Sequence, residues 1–307
     1  MVICLMRRAG KKAVTYWNTP CKRHMFVRYH NAMSIKTNAA IAASRVTGKL
    51  SGAMTHAAGA YYRIRAHSIP DERVHCYCPC CNTMLLKWKA CGYSHVPSLF
   101  DVSRYADAPQ DVICPACGSV PRHRVIAWRF EQHPELVEGK SVLHFAPERG
   151  LTLWFKRHGV CVTTADLHAR ADLKVDIQDT GLACGSYDVI LCNHVLEHVA
   201  DYRRALSELH RILRPNGLLI CSFPVDPRFE TVYEDSRYVT AEDRIAHFGQ
   251  HDHLRVFGAD SKRMLEDAGF EVQVVRGSDC PARIRPVTGP ADYDSADVFF
   301  CRKLTRR

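Results

Sequence analysis

The sequence predicts an α/β protein, a doubly wound sheet preceded by a small cysteine-rich, zinc-ribbon-like module. Three observations predict it. From Ser141 onward, short apolar runs of strand length alternate with helical patterns, as in βαβ units. Those runs are continuous rather than alternating, as expected of strands covered by helices on both faces. Upstream, residues 71–122 hold seven of the fifteen cysteines among turn-forming residues with little periodicity. The expected organisation is therefore a basic segment over 1–70, the cysteine module over 71–122 and the α/β domain over 123–307.

The first 70 residues carry twelve of the 42 Lys and Arg and no Asp or Glu. The remaining 30 basic and 32 acidic residues give the rest of the chain a net charge of −2. The formal charge of +10 thus belongs to the N-terminal segment, not to the expected folded body. Such a segment suits a solvated tail that touches nucleic acid or an anionic membrane, an organelle-targeting segment, or sequence upstream of a later start at Met25, Met33 or Met54. No run of eighteen apolar residues marks a membrane span. An odd number of cysteines without a secretory signal points to a reducing, cytoplasmic compartment and to metal or core use of the thiols.

Within the module, Cys78-Pro-Cys-Cys81 and Cys114-Pro-Ala-Cys117 are two CxxC pairs on expected tight turns. Four thiolates on two such turns suit tetrahedral structural zinc through Cys78, Cys81, Cys114 and Cys117. Their separation exceeds the usual ribbon spacing of about 15–20 residues. Cys76, Cys80, Cys91 and His95 are rival ligands.

Beyond the module, His123 opens an amphipathic helical stretch, HRVIAWRFEQ. The expected strands are Ser141–Phe145, Cys161–Ala165, Tyr187–Cys192, Leu218–Phe223, Glu271–Val275 and Asp297–Cys301. The clearest helix runs from Asp201 to Arg214, with Tyr202, Ala205, Leu206, Leu209, Ile212 and Leu213 on one face, an Asp cap and a Pro-Asn-Gly stop. Another runs from Ser261 to Ala268 and ends at Gly269. In open α/β sheets ligands sit beyond the carboxyl ends of the strands. There the sequence places Ala146-Pro-Glu-Arg-Gly150, then Asp166, where a carboxylate accepts both hydroxyls of a ribose. Asp176 follows a short apolar pair, and Asn193, His194, Glu197 and His198 follow the next strand.

VLHFAPERG (142–150), Asp166, VDI (175–177), YDVILCNHVLEHV (187–199) and LSELHRILRPNG (206–217) together resemble the class I S-adenosylmethionine-dependent methyltransferases, in particular the broad type 11 group. CPACGSVPRHR (114–124) and FGQHDHLRVFG (248–258) resemble a subset with a cysteine motif ahead of that domain. The resemblance spans about residues 118–303. It implies a Rossmann-like methyltransferase sheet that binds S-adenosylmethionine through Phe145, Ala146, Glu148, Gly150, Asp166, Leu167, Asp176, Ile177 and Asn193. The loop departs from the family pattern E-x-G-x-G-x-G. His144 stands at the acidic position, Ala146 at the first glycine, Glu148 at the second and Gly150 at the third. One role open to the Glu148 carboxylate is pairing with the ammonium or sulfonium charge of the cofactor.

Methyl transfer from a sulfonium depends on near-attack geometry, and a hydroxyl acceptor also benefits from a base. His194, Glu197 and His198 are the candidates for that role. His247, His251, Asp252 and His253, together with Tyr233, Glu234 and Asp235, are expected on a substrate-facing side. The near-neutral body favours a small-molecule or glycan acceptor. The alternatives are an RNA methyltransferase that reads RNA through the zinc module and basic tail, or a non-catalytic binding module on a methyltransferase-like scaffold.

Overall fold

Six strands form the main sheet. Strand β5 (Val142–Phe145) pairs in parallel with β6 (Val162–Ala165) on one side and β7 (Tyr187–Asn193) on the other. Strand β7 pairs in parallel with β8 (Leu213–Ser222), and β12 (Val298–Lys303) lies antiparallel between β8 and β11 (Phe270–Val275). The order is β11-β12-β8-β7-β5-β6, and β9 (Tyr233–Glu234) and β10 (Arg255–Val256) form a separate antiparallel pair. The computed structural model describes residues 76–90, 111–284 and 297–304, all within the unit Leu50–Arg307. The expectations for residues 1–70, and for Cys91 and His95 as ligands, lie outside the described residues. Among the described residues, no helix is long and apolar enough to cross a membrane.

Alternate residues of each strand feed opposite faces, as the two-residue repeat of a strand requires. Val142, Val189, Leu191, Leu218 and Ile220 pack on one face with α1 (Pro121–Gln132) and α2 (Arg149–Arg157) through Val125, Ile126, Phe130, Leu151, Trp154 and Phe155. Leu143, Ile190, Leu219 and Cys221 pack on the other face with α3 (Tyr202–Ile212) and Leu265 of α5 (Ser261–Asp267). The edge strand β11 departs from the continuous apolar pattern, because Glu271 and Gln273 alternate outward.

Helix α1 starts at Pro121, where a missing N–H costs nothing in the first turn. The Asp201 side chain caps α3 by accepting from Arg204 N–H at 3.0 Å. That helix ends at Ile212, two residues before the sequence suggested, and β8 begins at Leu213. Pro215 disfavours helical geometry at Arg214, so the chain becomes extended early. A short helix not anticipated, α4 (Ala241–Phe248), is capped by Thr240 and closed by left-handed Gly249.

The cysteine segment folds onto the first face of the sheet. Strands β1 (Cys76–Cys78) and β2 (Thr83–Leu85) form a hairpin around the first CxxC, and β3 (Lys89–Ala90) pairs with β4 (Asp111–Ile113) ahead of the second. Each CxxC is followed by a left-handed residue, Asn82 with φ 53° and Gly118 with φ 76°. Cys78, Cys80, Leu85, Trp88, Cys114 and Cys117 share one buried cluster with α1, α2 and the sheet. Arg157 donates to the carbonyls of Pro79 and Cys80 at 2.7 and 2.9 Å. A side chain on Gly150 would stand 2.8 Å from Ser119 Cβ. The start of α2 and the end of the second CxxC turn therefore touch where Gly150 has no side chain.

Candidate active site and cysteine cluster

The sheet changes winding direction between β5 and β7. Register pairs Phe145 with both Ala165 and Cys192, which brings Ala146, Asp166 and Asn193 to one carboxyl edge. Two residues there hold left-handed backbones without being glycine, Ala146 with φ 46° and His194 with φ 50°. Such conformations cost about 1–2 kcal/mol each and persist where the surroundings impose them. Ala146 thus holds a conformation that glycine adopts without strain.

Glu148 is turned onto neighbouring histidines. His144 Nε2 donates to its Oε2 at 2.7 Å, and Asn193 Nδ2 reaches the same oxygen at 3.4 Å. His123 Nε2 lies 3.0 Å from Oε1, off the line of a good hydrogen bond, with Arg122 Nε at 3.9 Å. Both oxygens of this carboxylate thus lie against histidines, Oε2 within hydrogen-bond distance of His144 and Oε1 without an aligned donor. The sequence anticipated neither His123 nor this exchange, in which the strand carries the histidine and the loop the acid. The proline start of α1 and the four-residue spacing from His144 to Glu148 were the available signals.

Burial opposes ionisation of Glu148, but His123 and His144 prevail and hold its carboxyl well below the usual range. Burial pushes His123 below its ordinary value against the pull of Glu148. His123 Nδ1 accepts from Val120 N–H at 3.3 Å, so the neutral ring carries its proton on Nε2, toward Glu148. An unfolded chain takes up protons at about pH 6.5 on His and about 4.3 on Glu, where the folded protein refuses them. Stability should therefore fall as pH drops through 6.5 and again below about 4.3. Urea unfolding at pH 8, 6 and 5 checks the first limb, and His123→Gln is expected to flatten it.

The other cofactor candidates divide by exposure. Phe145, Ile177 and Asn193 are buried. The Asn193 amide accepts from the Ser222 hydroxyl at 3.0 Å and braces the strand ends. Asp166 accepts the backbone N–H groups of His168 and Ala169 through Oδ1, which fixes its turn. Leu167 beside it is 43% exposed, one of few large apolar side chains so placed among the described residues. Asp176 is held by Gln178, whose amide reaches both its oxygens. Gly150 faces Ser119 rather than the strand ends.

After β7, His194 is 27% exposed and its Nδ1 lies 3.0 Å from Oε1 of Glu197, which is fully buried. Burial opposes ionisation of Glu197 too, but His194, His253 and His198 outweigh it and lower its pKa. Arg255, not anticipated, holds this loop. Its guanidinium donates to the carbonyls of Leu196 and Ala200 at 3.0 Å each, also donates to that of Val199, and pairs with Glu234 at 2.7 Å. Of the expected substrate-side residues, His253 and Asp252 approach His198, whereas His247 stacks on Tyr238 and bonds the Tyr233 hydroxyl. His251 stays exposed, and Asp235 pairs with Arg237.

The four thiols of Cys78, Cys81, Cys114 and Cys117 converge, with all sulfurs within 4.8 Å of one another. Cys78 and Cys117 are 3.7 Å apart, Cys81 and Cys114 3.8 Å. A tetrahedral zinc with bonds of about 2.3 Å sets its sulfurs about 3.8 Å apart. Ser119 and Thr83 hydroxyls stand 3.1 and 3.2 Å from Cys78 and Cys81. The rival Cys80 instead donates to the His123 carbonyl at 3.3 Å. Arg124, wholly buried, donates to the Val112 and Ser119 carbonyls and lies 3.9 Å over the Trp88 ring. Burial pushes its pKa down, and the neighbouring thiols of Cys78, Cys80, Cys114 and Cys117 pull it back.

A mixed α/β sheet with a parallel core, a strand-end loop, an acidic residue after the next strand and a histidine-rich turn defines a class I S-adenosylmethionine-dependent methyltransferase. The match to the methyltransferase-domain family runs over residues 119–275, just over half of the 307-residue chain, and the chain belongs to that family. An uncharacterized 37.1 kDa protein in transposon TN4556 of Streptomyces fradiae is 37% identical over 107 residues, 33% of this chain and 29% of that protein. Demethylmenaquinone methyltransferase of Staphylococcus epidermidis is 39% identical over 51 residues, 16% of this chain and 21% of that protein. The chain thus spans under a third of either relative's length. A Burkholderia thailandensis 1,6-didemethyltoxoflavin-N1-methyltransferase structure is 18% identical with a TM-score of 0.41, covering 60% of this chain and 79% of that one.

Proposed function

We propose that this enzyme methylates a hydroxyl of a small molecule or glycan, with His194 as the base. The observation that carries the proposal is His194 itself. It stands at the carboxyl end of β7 in a left-handed backbone, partly exposed, with its imidazole against the buried Glu197. Strain imposed on a residue at a strand end is characteristic of functional sites. Because Glu197 is fully buried, it would stand behind the imidazole rather than touch the acceptor. His198 would line the same edge. The Staphylococcus relative is named for demethylmenaquinone, which supports a small acceptor.

The residues fit S-adenosylmethionine on three counts. Ala146 keeps the left-handed turn, Glu148 is folded out of the approach, and Leu167 exposes apolar surface next to Asp166. When bound, the cofactor supplies an electrophilic methyl group on its sulfonium. In this reading the Asp166 carboxylate accepts ribose hydroxyls, Leu167 and Ile177 flank the base, and Phe145, Ala146 and Gly150 shape the loop. Asp176 and Asn193 hold the neighbouring turns, and Glu148 holds the loop itself. His194 would take the proton of the acceptor O–H as that oxygen is methylated. Residues 71–122 would form a module held by zinc on Cys78, Cys81, Cys114 and Cys117, a site with no open position and therefore structural.

Calorimetric titration of S-adenosylmethionine into the zinc-loaded full chain tests the cofactor site. Asp166→Ala should weaken binding about 10- to 100-fold, the size of a charge-assisted hydrogen bond. In a hydroxyl-acceptor screen, His194→Ala should lower kcat about 100-fold or more while leaving cofactor affinity unchanged. Unaltered turnover in that variant, or transfer to nitrogen or sulfur only, would sink the hydroxyl assignment.

A further inference from the structure

The histidine-rich turn behind β7 holds more than a base needs. Glu197, His198 and His253 each offer a ligand atom, and the three lie within 4.8 Å of one another. Glu197 is completely buried, and neither carboxylate oxygen has an aligned hydrogen-bond donor. Its near neighbour, His194 Nδ1, approaches Oε1 at 3.0 Å without pointing along a hydrogen bond. A buried carboxylate without donors requires a counter-charge.

The two imidazoles are already oriented. His253, itself buried, sets Nδ1 3.0 Å from the Phe248 carbonyl. His198 sets Nδ1 3.3 Å from the Asp252 carbonyl and 3.4 Å from its carboxylate. A carbonyl only accepts, so each Nδ1 carries the proton and each Nε2 the lone pair. Metal-binding histidines are held in this way, one nitrogen donating to a carbonyl or carboxylate and the other left for the ion. The rings meet edge to face at 4.8 Å between centroids. The two loops are tied by Leu254 N–H donating to the Glu197 carbonyl at 2.9 Å and by Arg255 across residues 196–200. The donor set is therefore built by the fold rather than gathered by a ligand.

We propose that Glu197, His198 and His253 form a second metal site, for a divalent cation of the manganese, iron, cobalt or zinc class. Two imidazole nitrogens and a carboxylate suit those ions, whereas the cysteine cluster suits soft thiolate binding. Three protein ligands leave coordination positions open, as in sites that engage substrate. The site follows His194 at the carboxyl end of β7. Resting on the methyl-transfer reading, its open positions take an acceptor with two neighbouring oxygens, such as a vicinal diol.

The test is a Mn2+ titration of the zinc-loaded full chain without cofactor, following free Mn2+ by electron paramagnetic resonance. Mn2+ is chosen because thiolates bind it poorly. One equivalent should bind saturably, and Glu197→Gln and His253→Gln should each weaken it at least tenfold while the thermal melt stays cooperative. Co2+ should bind with d–d absorption and no thiolate charge-transfer band. No saturable Mn2+ or Co2+ binding by the folded protein, or unchanged affinity in both variants, would each overturn the site. The measurement omits S-adenosylmethionine, so a failed metal site leaves the methyl-transfer reading standing, and a failed cofactor titration leaves the metal result readable.

Discussion

Cys117→Ser is expected to abolish binding at the proposed zinc site and, with it, to weaken S-adenosylmethionine binding at least tenfold, although Cys117 lies far from the strand ends in sequence. A short chain of contacts carries the effect. Gly118 turns the backbone and Ser119 follows, its hydroxyl 3.1 Å from Cys78 Sγ and its carbonyl accepting from Cys114 N–H and Arg124. Ser119 also occupies the space left by the absent side chain of Gly150. Four residues on, His123 meets Glu148 in the loop after β5. A thiolate lost from a four-sulfur site leaves an incomplete metal shell, and structural zinc sites contribute folding free energy directly. A loss of about 3 kcal/mol would lower Tm by roughly 6–12 °C in a domain of this size. Zinc content by mass spectrometry, thermal melts and cofactor calorimetry check the three parts together. Loss of zinc with unchanged cofactor affinity would show that the module is insulated from the site.

Glu148→Ala should cost about 2–4 kcal/mol, because it strands two buried histidine N–H groups that the carboxylate now faces. Glu148→Gln should cost less, since one carbonyl acceptor remains. The more telling experiment exchanges the two positions. Glu148→Gly alone should lose cofactor binding, and His144→Glu combined with it should recover binding, since the pair then returns to acid on the strand and glycine in the loop. The two sites touch, so their effects should be non-additive by about 1 kcal/mol or more in a double-mutant cycle. Additive losses would show that Glu148 acts on the cofactor independently of His144.

Much of the fold was legible because burial writes itself into composition. The runs at 142–145, 187–193 and 218–222 are apolar because helices cover both their faces, and the α3 stripe repeats at helical spacing. Element ends were less legible. The early end of α3 depends on Pro215 acting one residue back, and α4 has too few apolar residues to announce itself. The antiparallel insertion of β12 between β8 and β11 left no local mark, because strand direction depends on which edge is open when the chain returns.

Local spacing placed the paired CxxC turns, and put Asp166 and the His194–His198 segment at strand ends, since turns and strand ends put short-range sequence to direct use. Partnerships came only from tertiary packing. That Glu148 lies between His123 and His144, that Gly150 makes room for Ser119, and that Glu197 and His198 meet His253 involve residues up to 56 positions apart. Side-chain direction at such range is set by sheet register and by which helix covers which face. A carboxylate in a loop looks the same in sequence whether it faces a ligand or turns back into the protein.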